Sequence, residues 1–392
     1  MPIRRSGLIV RDEGVILPPV NDLDFQGAGV TVALSGSKLV ATIPGGGGGS
    51  PSDWTSMGLY RPQDFGTIDP TGATDSRAAF QAALDEMCGN SAYGGCLLVP
   101  QGRFRIDPAS GSGAGLVHPQ TAYDGAHGWG YRFGHTMRGF SRGASVLFAG
   151  PGLTEPVMKF RTTTANLPSW DVFDMTFQGL AGSTEVVRAD ELAYSTWKNV
   201  TVMGVYGGSP QPPIGLHFAN CQINNFENIR VYNADTCILH DVGSGFTYGN
   251  NMNVYRNIVV AGSATWGFDF DGGAHLVVDG IDCEGNSNYP SASGGVRIKS
   301  GPFRLRGAHW FEGEYSPCYD VSIAAGSYGM SVIEGPVAQV ISSAQMRVRG
   351  SSGKLLLRNM GGSWGITADA GTEVIHEDTT SAQTGGTKTT RH

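Results

Sequence analysis

The chain has 392 residues, of which 40% are hydrophobic and 16% charged, so it can bury a large core and is not expected to be disordered. Its 59 glycines lack the every-third-residue period of collagen, which favours an all-β fold with frequent corners. The formal net charge of −7, without a lysine- and arginine-rich run, argues against nucleic acid or an anionic membrane as partner.

The first 50 residues alternate short strand-like runs with turn signals and end in the glycine run Gly45 to Gly49. We predict a small β-rich segment at residues 1–44 and a flexible Gly-rich linker at residues 45–56. The apolar stretch Leu8 to Val10 is too short for a signal-peptide core, and no later segment reaches the length of a membrane span. We therefore expect no Sec export and no membrane insertion.

A helix is predicted at residues 75–87. Thr74 or Asp75 can accept the free backbone N–H groups at its start. The apolar residues then recur at helical spacing and form one face. Such a helix can cover the open end of a stack of strands, whose first coil would otherwise expose its core. The residues of this face are Phe80, Ala83, Leu84 and Met87.

The sequence around this helix resembles the opening of the pectate-lyase-like β-helix of bacteriophage tailspikes. The resemblance covers roughly residues 61–106 and rests on Gln63-Asp64-Phe65-Gly66, on residues 69–75 and on residues 94–104. Ser76 stands where the family has a second aspartate, and Phe104 stands where it has a tyrosine. Residues 20–44 similarly resemble the virion-proximal segment of phage tail proteins.

The resemblance implies a phage tail component made in the host cytoplasm and carried on the virion. Its expected partners are host capsule or lipopolysaccharide, met during adsorption, and tail or baseplate proteins bound through the N-terminal segment. Members of this family are typically homotrimers and often depolymerise the polysaccharide that they bind.

A weak internal repeat supports the same fold without reference to a family. Six similar segments follow one another at intervals of 25, 29, 29, 23 and 27 residues. A repeat of this length predicts stacked coils. We predict a right-handed parallel β-helix at residues 57–365, followed by a polar tail at residues 366–392. The segments begin at Asp174, Asn199, Asn228, Asn257, Gly280 and Gly307.

Alternation along the repeated strands assigns their side chains to two faces. The inward positions are predicted to be apolar, and the outward column alternates in charge from coil to coil. We interpret this column as a structural charge ladder rather than as a catalytic site. The inward residues are Phe226, Tyr255, Val278 and Leu305, and the outward ones are Lys198, Glu227, Arg256, Asp279 and Arg306.

A first candidate site lies on two successive coils. Two of its carboxylates are two residues apart on one strand, which sets their α-carbons roughly 6.6 to 6.8 Å apart on one face. This spacing suits the acid and base of inverting glycoside hydrolysis, and an exposed aromatic ring beside them would stack on a sugar. Alternatively, Asp282 pairs with His309 and the glutamates only solvate turns. The candidates are Asp282, Glu284, His309 and Glu312 for catalysis and Trp310 and Phe311 for substrate binding.

A second candidate site groups Asp269 and Asp271 with Asp241 of the preceding coil. Crowded carboxylates would raise a carboxyl pKa for general-acid catalysis or hold a divalent cation. The interpretation that we favour is that Arg297 and Lys299 of the next coil neutralise both aspartates.

Other reactive residues give no site. The six cysteines are interpreted as buried thiols, and only Cys88 and Cys96 are near enough in sequence to suggest a disulfide. His217 and His240 look isolated, and the spacings typical of zinc or nucleotide sites are absent. We predict no metal and no cofactor.

Two functional hypotheses follow. The first is a polysaccharide depolymerase, more typical of a glycoside hydrolase than of a lyase, that uses the carboxylates above. The second is a non-enzymatic structural or receptor-binding tail protein, since the fold alone does not establish catalysis. A secreted plant-polysaccharide lyase is disfavoured by the tail-like N-terminal sequence.

Overall fold

A computed structural model gives the fold of the chain. It describes residues 54–90, 94–118, 134–160, 169–205, 212–242, 250–272, 275–284, 294–299, 301–311, 317–323, 330–338, 344–350, 353–361, 364–377 and 381–391, together with the backbone of four short strands within residues 11–42 and of residues 51–53.

The chain divides into two compact units, Met1–Asp53 and Trp54–His392. The first unit contains two antiparallel strand pairs, in line with the β content expected of residues 1–44. Helix α1 spans Pro51–Ser56 at the boundary. The strand pairs are Arg11–Asp12 with Val15–Ile16, and Thr31–Ser35 with Lys38–Thr42.

The predicted helix is present in the second unit as α2, Arg77–Asn90, after a 3₁₀ turn at Pro62–Asp64. A carboxylate oxygen of Asp75 accepts the backbone N–H of Arg77 at 2.9 Å and that of Asp107 at 2.9 Å. All four residues of the predicted apolar face are fully buried, which confirms the helix and the face that it buries. Within the described residues, no helix has the length and apolarity needed to span a membrane.

Most of the described residues of the second unit form three ladders of parallel strands, and successive turns of the chain extend these ladders. Ladder A consists of Leu59–Tyr60, Cys96–Val99, His135–Gly139, Trp170–Phe173, Thr196–Lys198, Asn225–Glu227, the first halves of Val254–Ala261, Leu276–Glu284 and Phe303–Phe311, then Ser331–Glu334, Lys354–Arg358, Glu373–Glu377 and Thr387–Arg391.

Ladder B follows ladder A around a corner, and ladder C forms a separate sheet. Ladder B consists of Gly102–Ile106, Ser145–Ala149, Thr176–Gln178, Thr201–Met203, Arg230–Tyr232, the second halves of the same three long strands, and Pro336–Ala338. Ladder C consists of Leu116–Val117, Met158–Phe160, Glu185–Asp190, Ile214–Ala219, Thr236–Asp241, Trp266–Phe270, Gly294–Ile298, Tyr319–Ser322, Ala344–Arg349, Trp364–Ala368 and Ser381–Thr384. The architecture is a parallel β-helix, as the repeat predicted.

The core runs along the axis as stacked side chains from successive coils. The ring of Trp197 lies 5.3 Å from Phe218, and the ring of Phe226 lies 4.4 Å from Tyr255. All four predicted inward residues are at most 1% exposed. Because each coil alone would expose its interior, burial between neighbouring coils stabilises the whole stack.

The predicted charge column is also present. Its members occupy equivalent positions on successive strands of ladder A. Lys198 pairs with Glu227 at 2.8 Å, and Arg306 pairs with Asp279 at 3.1 Å. Both pairs are partly exposed to solvent, so each contributes modestly to stability.

The β-helix extends beyond its predicted end at residue 365. Glu373–Glu377 and Thr387–Arg391 continue ladder A in parallel register, and Ser381–Thr384 continues ladder C. Val374 and Ile375 are buried in these last coils. The segment expected to be a polar tail is therefore part of the β-helix. Its sequence is polar because a terminal coil has only one neighbouring coil and can keep a polar outer side.

Candidate functional site

The corner between ladders A and B repeats one backbone conformation. Asp174, Asn199, Asn228 and Asn257 have φ between 54° and 58°. Glycines replace them in the next coils, with φ of 83° at Gly280. Asparagine and glycine are the residues that most readily adopt this left-handed conformation, which explains why the sequence repeat begins at these positions.

The side chains at this corner form a ladder of hydrogen bonds along the axis. The Nδ2 of Asn199 donates to Asp174 at 2.8 Å, Asn228 donates to Asn199 at 3.1 Å, and Asn257 donates to Asn228 at 3.3 Å. The ladder stops at Gly280, which has no side chain to continue it. A Cβ atom at Gly280 would lie 3.5 Å from Oδ1 of Asn257, so the glycine directly borders the last amide of the ladder.

A groove of about 650 Å³ follows this corner across several coils. In most coils the turn from ladder A to ladder B is one or two residues, but five residues, 140–144, connect His135–Gly139 to Ser145–Ala149. Arg142 of this longer connection donates to the carbonyl oxygen of Asn228 at 3.3 Å. The groove is lined by Arg142, Asn199, Asn228, Arg230, Asn257, Ile258, Val259, Asp279, Gly280, Ile281, Asp282, Ala308 and Trp310.

Two predicted site residues meet in this groove. Asp282 and Trp310 occupy equivalent positions on adjacent strands of ladder B, and both side chains are half-buried on its outer face. Glu284 lies on the same face two residues after Asp282, as predicted, but is not among the residues that line the groove.

His309 does not belong to this site. The register of the strands shifts between Asp279 and Ile281, so that His309 pairs with Ile281 and Trp310 pairs with Asp282. The expectation that His309 lies beside Asp282, whether as a catalytic or a pairing partner, is therefore wrong. One extra residue, Ala308, turns each following side chain to the opposite face.

The environment of His309 is that of a core residue. It is 1% exposed, with Nδ1 2.7 Å from the Tyr319 hydroxyl and Nε2 2.9 Å from the carbonyl oxygen of Arg306. Burial lowers the pKa of His309 to about 4, so the imidazole is neutral at physiological pH. Phe311 is likewise in the core at 0% exposure, 4.9 Å from the ring of Tyr319, and cannot stack on a sugar. Glu312 lies outside the described residues.

Two cations lie at one end of the groove. Burial lowers the pKa of the Arg142 guanidinium, and the like charge of Arg230 lowers it further. Arg142 remains protonated because arginine starts from a very high pKa. Two neighbouring guanidinium groups can bind and stabilise an anionic group.

The second predicted cluster, on ladder C, is neutralised as we favoured. Arg297 binds both carboxylate oxygens of Asp269, which is 2% exposed. Lys299 contacts Asp269 at 3.6 Å and Asp271 at 3.2 Å. These contacts hold both aspartates in ion pairs across adjacent coils.

His217, which looked isolated in the sequence, joins a network of charges on ladder C. Its Nδ1 lies 2.6 Å from Glu185 and its Nε2 lies 3.1 Å from Asp241. Burial lowers the pKa of His217, but the hydrogen bonds and charges of these two carboxylates outweigh burial and raise that pKa to about 9. The histidine is therefore a buried cation. The alignment of repeated strands in the sequence began at Gly215. Extending it back by one coil, to Glu185–Asp190, would have brought Glu185 and His217 onto neighbouring strands.

His240 is a structural residue of the core. It is fully buried, hydrogen-bonded to the Tyr255 hydroxyl, and burial lowers its pKa to about 3.

Comparison with known proteins bears on the fold. No protein-family model and no curated protein match the sequence. The tailspike gp42 of Acinetobacter phage vb_AbaP_AS12 matches with a TM-score of 0.55 and 12% identity, over 85% of this chain and 61% of that one. The pre-mature gene product 12 of bacteriophage phi29 matches with a TM-score of 0.51 and 13% identity, over 83% of this chain and 50% of that one. The chain shares the parallel β-helix fold of these two phage proteins.

The match to this chain spans 61% and 50% of the lengths of these two phage proteins. At this level of identity the similarity shows a common fold. Function has to be argued from the side chains that the fold brings together.

Proposed function

We propose that this protein is a virion tail component whose groove between ladders A and B binds a polysaccharide of the host cell surface. The observation that carries the proposal is the composition of the groove. It combines amide side chains, two guanidinium groups, two carboxylates and the half-buried ring of Trp310. Amides and charges pair with sugar hydroxyls, and an indole ring packs against the apolar face of a sugar.

The shape of the groove suits a linear polymer. Its walls extend from the coil of Asn199 to that of Trp310, which is four coil-to-coil spacings. At about 4.8 Å per coil, the groove is about 19 Å long, enough for a few consecutive sugar units.

The charges favour an acidic glycan. Arg142 and Arg230 lie towards one end, Asp279 is paired with Arg306, and Asp282 lies two coils away from Arg230. Guanidinium groups bind carboxylate and phosphate in a planar, two-point geometry. Uronic acids and phosphorylated sugars are therefore the units that we expect at this end.

Binding of the purified protein to surface polysaccharides from a panel of hosts tests the proposal. On the glycan that binds, Trp310→Ala should weaken binding about tenfold, since loss of an aromatic contact costs about 1.5 kcal/mol. Tyr194→Ala is the matched control, because its half-exposed ring does not line the groove. Equal affinity of Trp310→Ala and wild type would contradict a site in this groove.

Depolymerisation is the second candidate function, favoured by the position of Asp282 in the groove and of Glu284 on the same face. In this scheme one carboxyl protonates the glycosidic oxygen and the other activates water for inverting hydrolysis. Release of reducing ends by wild type and its loss in Asp282→Asn, with binding retained, would support it. Absence of release from a glycan that the protein binds would make the protein an adhesin.

The assembly is proposed by analogy with the fold. We expect a homotrimer attached to tail or baseplate proteins through residues 1–44. Light scattering gives the number of chains, and deletion of residues 1–44 should abolish incorporation into virions without changing glycan binding.

A further inference from the structure

Three metal-ligating side chains from separate segments converge beneath α2. Cys88 comes from the last turns of α2, His118 follows the first strand of ladder C, and His135 begins a strand of ladder A. The sulfur of Cys88 and one nitrogen of each imidazole all lie within 4.8 Å of one another. They are 3%, 6% and 8% exposed.

The backbone around the cluster is fixed. The side-chain amide of Gln81 on α2 both donates to and accepts from the backbone of Val117, at 2.6 and 3.0 Å. The N–H of His118 donates to the carbonyl oxygen of Lys159 at 2.9 Å, and that of His135 donates to Ser169 at 3.1 Å. The backbone segments that carry the three metal-ligating residues are thus held in place by hydrogen bonds other than those of the ligating side chains.

An aromatic wall closes the other side. The ring of Trp170 lies 4.6 Å from His118 and 5.2 Å from His135, and it is fully buried. The neutral imidazole ring is the form of histidine that binds a metal, and both rings face the third ligand, Cys88. A thiolate there is costly unless a cation accompanies it.

We propose that Cys88, His118 and His135 bind one Zn²⁺ ion that joins α2 to the first coils of the β-helix. One sulfur and two imidazole nitrogens form a donor set that suits zinc. A tetrahedral site has donor–donor distances of about 3.3 to 3.6 Å, so the three side chains would close by about 1 Å on binding, and a water molecule would take the fourth position. On binding, the Cys88 thiol releases its proton to solvent as the Zn–S bond forms.

The role of the ion would be structural, and it is independent of glycan binding in the groove. No short spacing in the sequence indicates this site, because its three residues are spread over 48 positions, from 88 to 135. The three residues come together only because the chain returns to the end of the β-helix beneath α2 as it forms the first coils. Zinc there would strengthen the cap that protects the first coil.

Metal binding by the full chain tests the proposal. The protein is stripped with a chelator, and zinc content is measured after incubation with ZnCl₂ and desalting. We expect one zinc per chain and a melting temperature that rises on zinc addition. Cys88→Ser and His135→Gln should lose most of the bound zinc, whereas Cys237→Ser, another buried thiol, should retain it.

A spectroscopic measurement on the wild type serves if the variants do not fold. Co²⁺ in place of zinc should give a near-ultraviolet thiolate charge-transfer band, and X-ray absorption of the zinc form should show one sulfur at about 2.3 Å with nitrogens at about 2.0 Å. A zinc content far below one per chain, or a metal shell without sulfur, would overturn the proposal.

Discussion

Replacement of His217 by glutamine should remove a specific pH dependence of stability. Glu185 and Asp241 hold the pKa of His217 at about 9 in the folded chain, against 6.5 for the ordinary side chain. Because the folded pKa is the higher one, the network stabilises the fold fully below pH 6.5, and this contribution is lost as the pH rises through 9. A shift of this size is worth about 3 kcal/mol, and the 37% exposure of the Asp241 side chain reduces this to about 2 kcal/mol.

The assay is denaturant unfolding of wild type and His217→Gln at several pH values from 6 to 9.5. Other groups titrate in both proteins, so the difference between the two curves isolates His217. We expect wild type to be the more stable by about 2 kcal/mol at pH 6 and the difference to shrink by pH 9.5. In the Asp241→Asn protein, His217 has lost one of its two carboxylate partners. The stabilisation that His217 provides there should therefore disappear at a lower pH than in wild type. Parallel curves over the whole range would refute the charged state of His217.

Further predictions concern the register, the corner and the ion pairs. Phe311→Ala should lower the free energy of unfolding by about 3 to 5 kcal/mol, whereas Trp310→Ala should lower it by about 1 kcal/mol or less. Denaturant unfolding measures both values, and the reverse order would contradict the strand register. Asn228→Ala should cost about 2 to 3 kcal/mol and Asn228→Gly about 1 kcal/mol, because only alanine strains the left-handed backbone while both lose the amide ladder. Thermal melting should show a larger loss for Asp269→Asn than for Asp271→Asn, since Asp269 is buried with Arg297 bound to both its oxygens.

The coils could be predicted from the sequence because their signals are local and repeated. The positions that start each segment, such as Asn199 and Asn228, are those with left-handed backbone. The period-two alternation then placed Phe226 inside and Glu227 outside, as found. The amphipathic pattern of α2 was equally direct, since one face alone carries its large apolar residues.

The candidate site was harder to predict because one bulge changes which side chains face outward. Aligning Gly280 with Gly307 set His309 opposite Asp282, whereas the extra residue Ala308 moves Trp310 into that place. Nothing in the local sequence distinguishes the two registers, because both give alternating polar and apolar residues. The packing of Phe311 against Tyr319 in the core decides between them.

Contacts between distant segments were missed for a related reason. His217 meets Glu185 and Asp241 only because three strands of ladder C lie side by side. Cys88, His118 and His135 meet only where the chain closes its first coils. Neither group has a characteristic spacing along the sequence.

The most direct test of glycan binding is a crystal structure of the protein with an oligosaccharide fragment of the host polysaccharide that it binds. The sugar chain should lie along the corner between ladders A and B, with one ring against Trp310 and an acidic group near Arg142 and Arg230. A fragment bound on the outer face of ladder C, with the corner groove empty, would contradict the proposed function of this groove.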